Sequence, residues 1–261
     1  VKIIDMTDEH LPLVAVCLED WSEEAREAGP ARRRWLERSR AKGLRVKLAT
    51  TDEGEIAGMI QYLPIEHSFV DGEGLYFISC IWVHGHKEGR GNFQKRGMGK
   101  ALLAAAEEDA RVAGAKGVAA WGIRLPFWMK ASWFKKRGYV AADRQGMAVL
   151  LWKRFADDAA PPRWFPKGSR LPEPAPGKVN VTAFVNGWCM AMNLGTERAK
   201  RAAAELGDKA SYREVDTSER EAVAEWGFSD ELFVDRKAVR NGPPPSYGKL
   251  LKLLKRRARR L

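Results

Sequence analysis

The run Gln94-Lys95-Arg96-Gly97-Met98-Gly99-Lys100 carries the clearest chemistry in this chain. It lies between a nearly unbroken apolar segment, Leu75–Val83, and a segment at 100–113 whose apolar residues recur at helical spacing. A helix start leaves backbone N–H groups without intrahelical partners, and the helix dipole adds partial positive charge to them. Such a terminus suits a phosphate, and glycines at 97 and 99 remove the Cβ atoms that would hold a diphosphate off the backbone. Read as bare geometry, the same run is an ordinary strand-to-helix turn.

The surrounding elements follow from spacing and turn residues. Lys2–Asp5 reads as a strand, and Thr7 as the cap of a helix over 8–18, where Leu11, Val14 and Leu18 share a face. Pro30 opens a second helical run to Lys42, closed by Gly43. Arg45–Thr50 and residues 56–63 form a hairpin turning at 51–54, and Leu75–Val83 is a buried central strand. After the loop at 84–93 and the phosphate loop with its helix come a strand at 117–121 and a helix at 127–137 closed by Gly138. Strands at 139–144 and 147–154 end this part.

Gln-x-x-Gly-x-Gly following a strand that ends Ile81-Trp82-Val83 resembles the acetyl-CoA pyrophosphate loop of the GNAT family of N-acetyltransferases, and the element order over residues 1–155 is similar to that fold. The resemblance implies an α/β (α+β) domain with a mixed central sheet, acetyl-CoA as co-substrate, and acetyl transfer to a primary amine of a small acceptor. It implies that the central strand splays from its neighbour at Ile81, Trp82 and Val83, where the pantetheine arm pairs as an added strand and an N–H steadies the oxyanion. Gly97, Met98, Gly99 and Lys100 would hold the pyrophosphate through backbone N–H groups, flanked by Gln94, Lys95 and Arg96. Lys95 or Arg96 would meet the 3′-phosphate as point charges.

The chemistry also asks for a general base to deprotonate the ammonium and an acid for the departing thiolate. Many GNAT enzymes use a tyrosine four residues before the glycine that closes the fourth helix; Phe134 stands there, and a phenyl ring donates no proton. Solvent, Ser132 or Tyr139 are the substitutes. The central strand holds no carboxylate. Glu73, just before it, is the leading base, ahead of Glu66, His67, His84 and His86. Trp121, Trp128 and Trp133 fall where an amine pocket or the core would use them, and Cys80 reads as a buried small hydrophobe.

Residues 156–177 hold six of the thirteen prolines and read as a semi-rigid linker, with Trp164 and Phe165 packing on a domain. A second domain follows at 178–261. Strands at Val179–Val185 and 212–216 enclose a helix at 196–206. A helix capped by Thr217 runs to Trp226, a hairpin turns at Asp235-Arg236, and a helix closes the chain at 246–260. This order, with Gly187-Trp188-Cys189 at the first turn, resembles a smaller thioredoxin-like domain of the YoaP-like kind that follows some GNAT domains. Met192 stands where a resolving cysteine belongs and no proline precedes the third strand, so a degenerate module is preferred over a redox one.

Composition sets the outer bounds. The chain has 261 residues, 45% of them apolar, and a formal charge of +11. No membrane span or signal peptide is visible, and Cys17, Cys80 and Cys189 make neither a disulfide framework nor a metal pattern, so the expectation is a cytoplasmic protein with no metal. The last thirteen residues hold seven basic groups and no acidic one. A closing helix with its leucines inward is preferred over a nucleic-acid or membrane contact. Two competitors to acetyl transfer stay open: an acetyl-CoA-binding protein without transfer, motivated by Phe134, and a nucleic-acid-associated protein using the basic tail.

Overall fold

The computed structural model describes residues 1–125, 129–168, 170–239 and 244–261. The chain divides into two compact units, each discontinuous in sequence: 1–21 with 36–165, and 22–35 with 166–261. Sequence alone suggested contiguous domains at 1–155 and 178–261.

The first unit is built on a seven-stranded mixed sheet: β1 (Lys2–Asp5), β2 (Arg45–Thr50), β3 (Ile56–Pro64), β4 (Leu75–Val83), β5 (Gly117–Ile123), β6 (Val140–Gln145) and β7 (Ala148–Arg154). The strand order is β1-β2-β3-β4-β5-β7-β6. Among the described strands of this sheet only β4 and β5 run parallel, because the helix α3 (Met98–Val112) crosses between them. The inner side of α3 (Leu102, Leu103, Ala106, Ala110) buries against Ile60, Tyr62, Ile78, Val118 and Ala120. A polar clamp reinforces this seat: the Tyr62 hydroxyl donates to Asp109 at 2.6 Å, and Lys47 Nζ lies 3.1 Å from the same carboxylate.

Several local expectations are corrected. The helix expected over 8–18 is a 3-10 turn at Asp8–His10 followed by α1 (Leu11–Ala15), which ends because Cys17 and Leu18 turn left-handed. Pro30 does not open α2; it lies inside it, since α2 runs Glu23–Arg40 from a start where Ser22 Oγ accepts the Ala25 amide. The helix expected at 127–137 is α4 (Ala131–Lys135), and residues 127 and 128 of that expectation lie outside the described residues. Trp164 docks on the first unit, stacked near Phe69 with its amide donating to Asp143.

The second unit has a four-stranded sheet in the order β11-β10-β8-β9. β8 (Val179–Val185) pairs parallel with β9 (Ala210–Asp216) across α5 (Met190–Glu205), which begins well before the expected 196. β10 (Glu231–Val234) and β11 (Lys237–Ala238) form the hairpin, with Asp235 left-handed at its turn. Thr217 does not cap α6 (Arg220–Trp226). Glu219 holds that position, and the Thr217 hydroxyl donates to the Ser229 carbonyl. α7 (Tyr247–Ala258) buries Leu250 and Leu254 in the same cluster as Ala199, Ala202 and Ala203 of α5.

Candidate functional site

β4 and β5 pair from Leu75↔Gly117 to Ile78↔Ala120 and no further. Beyond that point β4 keeps β3, and β5 keeps β7, so the two strands part. A bulge marks the place: Gln61 pairs with Cys80 but Tyr62 with Ile78, leaving Ser79 as the extra residue on β4. The indole N–H of Trp121 donates to the Ser79 carbonyl at 2.8 Å, closing the vertex. The parting starts three residues before Ile81, so the free edge of β4 covers 79–83, with Ile81, Trp82 and Val83 half-buried along it.

The glycine run stands at the start of α3. Gly97 is its N-cap in the left-handed region, φ +84°, and a Cβ there would meet nothing within 4 Å. The amides of Met98 and Gly99 belong to the first turn and have no intrahelical acceptor. Lys100 departs from its expected role: its amide donates to the Gly97 carbonyl at 2.9 Å. Gln94 braces the loop, its side-chain amide donating to the Val83 carbonyl at 3.3 Å. Lys95 takes φ +65°, and Arg96 lies over the Phe93 ring, both exposed.

One further cation belongs here that sequence reasoning missed. A Cβ on Gly99 would lie 3.5 Å from the Trp133 ring, and the Arg137 guanidinium sits 3.7 Å over that ring. Arg137 Nη1 donates to the Trp133 carbonyl at 2.7 Å, and its Nε has no partner among the described residues. Burial lowers its pKa, and the ring holds the guanidinium beside the start of α3. The only sequence signal was its position, one residue before Gly138.

The expected base lies elsewhere. Glu73 is exposed and precedes β4, at the end where the strand still pairs with β5. The strand from Leu75 to Ser79 alone, at ~3.3 Å per residue, spans about 13 Å, which sets Glu73 away from the vertex. Glu66 is engaged by the Gly74 amide at 2.6 Å, and His67 is exposed on the same distant loop. Phe134 is wholly buried between Trp133 and Tyr139. Tyr139 is a core residue and Ser132 is exposed on α4. Cys80 is buried in β4, as expected. Trp128 lies outside the described residues.

A different polar cluster stands at the far end of β4. His84 is completely buried; Nδ1–H donates to the Gly91 carbonyl at 2.6 Å, and Nε2 accepts from the Trp21 indole at 3.4 Å. With both ring nitrogens engaged it braces the loop. His86 Nε2 lies 3.5 Å from Glu19 Oε1, and the His86 ring meets those of Trp21, Trp82 and His84 at 6.2, 5.8 and 5.4 Å. Arg90 grips Asp20 through two bonds of 3.2 and 2.8 Å, tying the loop after β4 to the loop after α1.

A model of the acetyltransferase (GNAT) family matches residues 11–139, just under half of the chain. Over that stretch the chain is similar to the GNAT acetyltransferases, and its first unit is of mixed α/β fold with a mixed central sheet. No curated protein matches the sequence significantly. Among solved structures, PaiA N-acetyltransferase from Thermoplasma acidophilum in complex with coenzyme A is similar at 18% identity and a TM-score of 0.44, covering 59% of this chain and 98% of its own. The GNAT-family N-acetyltransferase YhbS from Escherichia coli in complex with CoA is similar at 19% and 0.43, covering 60% and 82%. A GNAT-family acetyltransferase from Brucella melitensis in complex with acetyl-CoA is similar at 19% and 0.42, covering 61% and 90%.

Proposed function

We propose that the protein transfers the acetyl group of acetyl-CoA to a primary amine of a small acceptor. One observation carries the reading: the parallel strand pair β4 and β5 comes apart after Ile78 and Ala120, and the helix that links those strands starts at the glycine run. An extended pantetheine arm fits the free edge of β4 over 79–83 as a further strand, with a backbone N–H there facing the carbonyl oxygen as it gains charge. The diphosphate rests on the amides of Gly97, Met98 and Gly99, with Arg137 as the counter-charge held on Trp133 and Lys95 and Arg96 as exposed ones. Attack by the neutral amine forms the C–N bond, collapse breaks the C–S bond, and the thiolate takes its proton from solvent, since Phe134 has none to give.

The experiment is thiol release from acetyl-CoA by the full chain across a panel of primary amines, with calorimetry for donor binding. Turnover on at least one amine supports transfer. Donor binding without turnover on any amine favours the second reading, a binding protein, which Phe134 motivates.

For the second unit the reading is a degenerate thioredoxin-like, YoaP-like module that binds a substrate. The order β8-α5-β9-α6-β10-β11-α7 supports it. The inward leucines of α7 support the closing-helix role over nucleic-acid binding. Among the described residues no helix is long and apolar enough to cross a membrane.

A further inference from the structure

The acetyl-transfer reading leaves its general base unassigned, and the following rests on that reading. Ile81 and Val83 pack into the cluster beneath α3. Side chains alternate along a strand, so Trp82 between them stands on the opposite face of the sheet. The donor's diphosphate belongs to the α3 face, and the gap between β4 and β5 leads through the sheet to the other. There the Trp82 ring meets His86, and His86 meets Glu19.

The backbone delivers Glu19 to this place at a cost. Cys17 and Leu18 have φ of +52° and +66°. Left-handed geometry is uncommon for non-glycine residues, and it is unfavourable for a wholly buried leucine. The pair reverses the chain directly after α1, and the next residues are Glu19, Asp20 and Trp21. Asp20 is taken by Arg90, His84 by Gly91 and Trp21. Glu19 and His86 are the titratable groups of the cluster left facing each other.

We propose that Glu19 is the general base of the transfer, that His86 relays its proton to solvent, and that Trp21 and Trp82 receive a cationic alkyl amine between them. The ammonium enters against the two indoles, as cations do on aromatic faces, and loses one proton to Glu19. The neutral amine attacks the thioester carbonyl, and the second proton released on amide formation matches the one taken up by the thiolate. His86, with nearly half its side chain exposed, passes the first proton outward. Burial raises the Glu19 carboxyl above the ordinary range, while His86 and His84 pull it down; the net shift is upward, toward the pH at which a base works well.

The test uses the full chain and its best amine from the panel. Glu19→Gln is expected to lower kcat ~100-fold or more, the scale of a lost general base, with acetyl-CoA affinity by calorimetry unchanged. It should also remove the acidic limb of the kcat/KM profile, where rate rises with pH as the base deprotonates. Glu19→Asp should retain more activity than Glu19→Gln, and His86→Gln should shift that limb. A Glu19→Gln enzyme with kcat within about threefold of the parent overturns the assignment. If that variant does not fold, unaltered kcat and pH profile in Glu19→Asp and His86→Gln overturn it equally. A parent that binds acetyl-CoA yet acetylates no amine overturns the transfer reading itself, which separates the two failures.

Discussion

The indole N–H of Trp121 on β5 donates a 2.8 Å hydrogen bond to the carbonyl of Ser79 on β4, at the residue where the two strands cease to pair. The bond satisfies a carbonyl that the bulge would otherwise orphan, and it fixes how far the gap penetrates the sheet. Trp121→Phe keeps most of the ring and removes the donor. A buried acceptor left without a partner costs about 1–3 kcal/mol, so the melting midpoint should fall by several degrees and acetyl-CoA should bind more weakly. An unchanged midpoint would mean that the ring's bulk alone holds the vertex.

The glycines at the start of α3 should be intolerant for different reasons. Gly97→Glu forces a side chain into a φ of +84° and puts negative charge where phosphate would rest. Gly99→Glu places a carboxylate at the helix start, its Cβ in ordinary contact with the Trp133 ring, and repels the diphosphate. Both are expected to weaken acetyl-CoA binding ~100-fold or more by calorimetry while circular dichroism stays native. Binding within a few-fold of the parent would remove the diphosphate from this loop.

Gly89 makes room for Trp21. A Cβ on it would lie 1.9 Å from the Trp21 ring, and its φ is +68°. Gly89→Val should displace the indole, raise KM for the amine about tenfold or more and leave the acetyl-CoA dissociation constant within twofold. Steady-state kinetics with each substrate varied in turn checks this.

The second unit carries a pH dependence of its own. Asp230 accepts the Trp188 indole N–H at 2.8 Å and the Asn186 amide at 3.2 Å, and burial pushes its carboxyl up to about 6. A carboxyl raised in the folded state favours the protonated form. Its contribution to stability is therefore full below the unfolded value near 4 and lost as pH rises through about 6. The residue as a whole is half-buried, so the loss is at most a few kcal/mol. The unit should melt lower at pH 8 than at pH 5, and Asp230→Asn should flatten the difference. A parent with no such difference would place the carboxyl in contact with water.

The sequence made the sheet of the first unit legible because its strands are bounded by glycines and its central strand is an unbroken apolar run. The Leu75–Val83 strand and the α3 start were readable for that reason. Pro30 misled because proline usually opens a helix, whereas Ser22 opens this one a full two turns earlier. The cradle glycines were visible as a local pattern. Glu19 was not: it touches His86 across 67 positions, and no periodicity connects a loop after one helix to a loop after a strand. Arg137 hid for a similar reason, since only the stacking of α4 near Gly99 gives it a role. Glu73 looked attractive because it is close to β4 in sequence, but strands are long, and its position is at the wrong end.

The helix α2 bears on any attempt to study the acetyltransferase alone. Ala25, Ala28, Arg32 and Trp35 are buried, Arg32 Nη1 donates to the Trp188 carbonyl, and Glu24 pairs with Arg198 and Arg201. These bonds join segments of the unit completed by 166–261. A stop codon after Phe165 would therefore deliver a fragment in which Arg32 is parted from the Trp188 carbonyl and Glu24 from Arg198 and Arg201. Aggregation of such a fragment would say nothing against the catalytic half, and a dissection that respects the architecture must mutate the second unit in place.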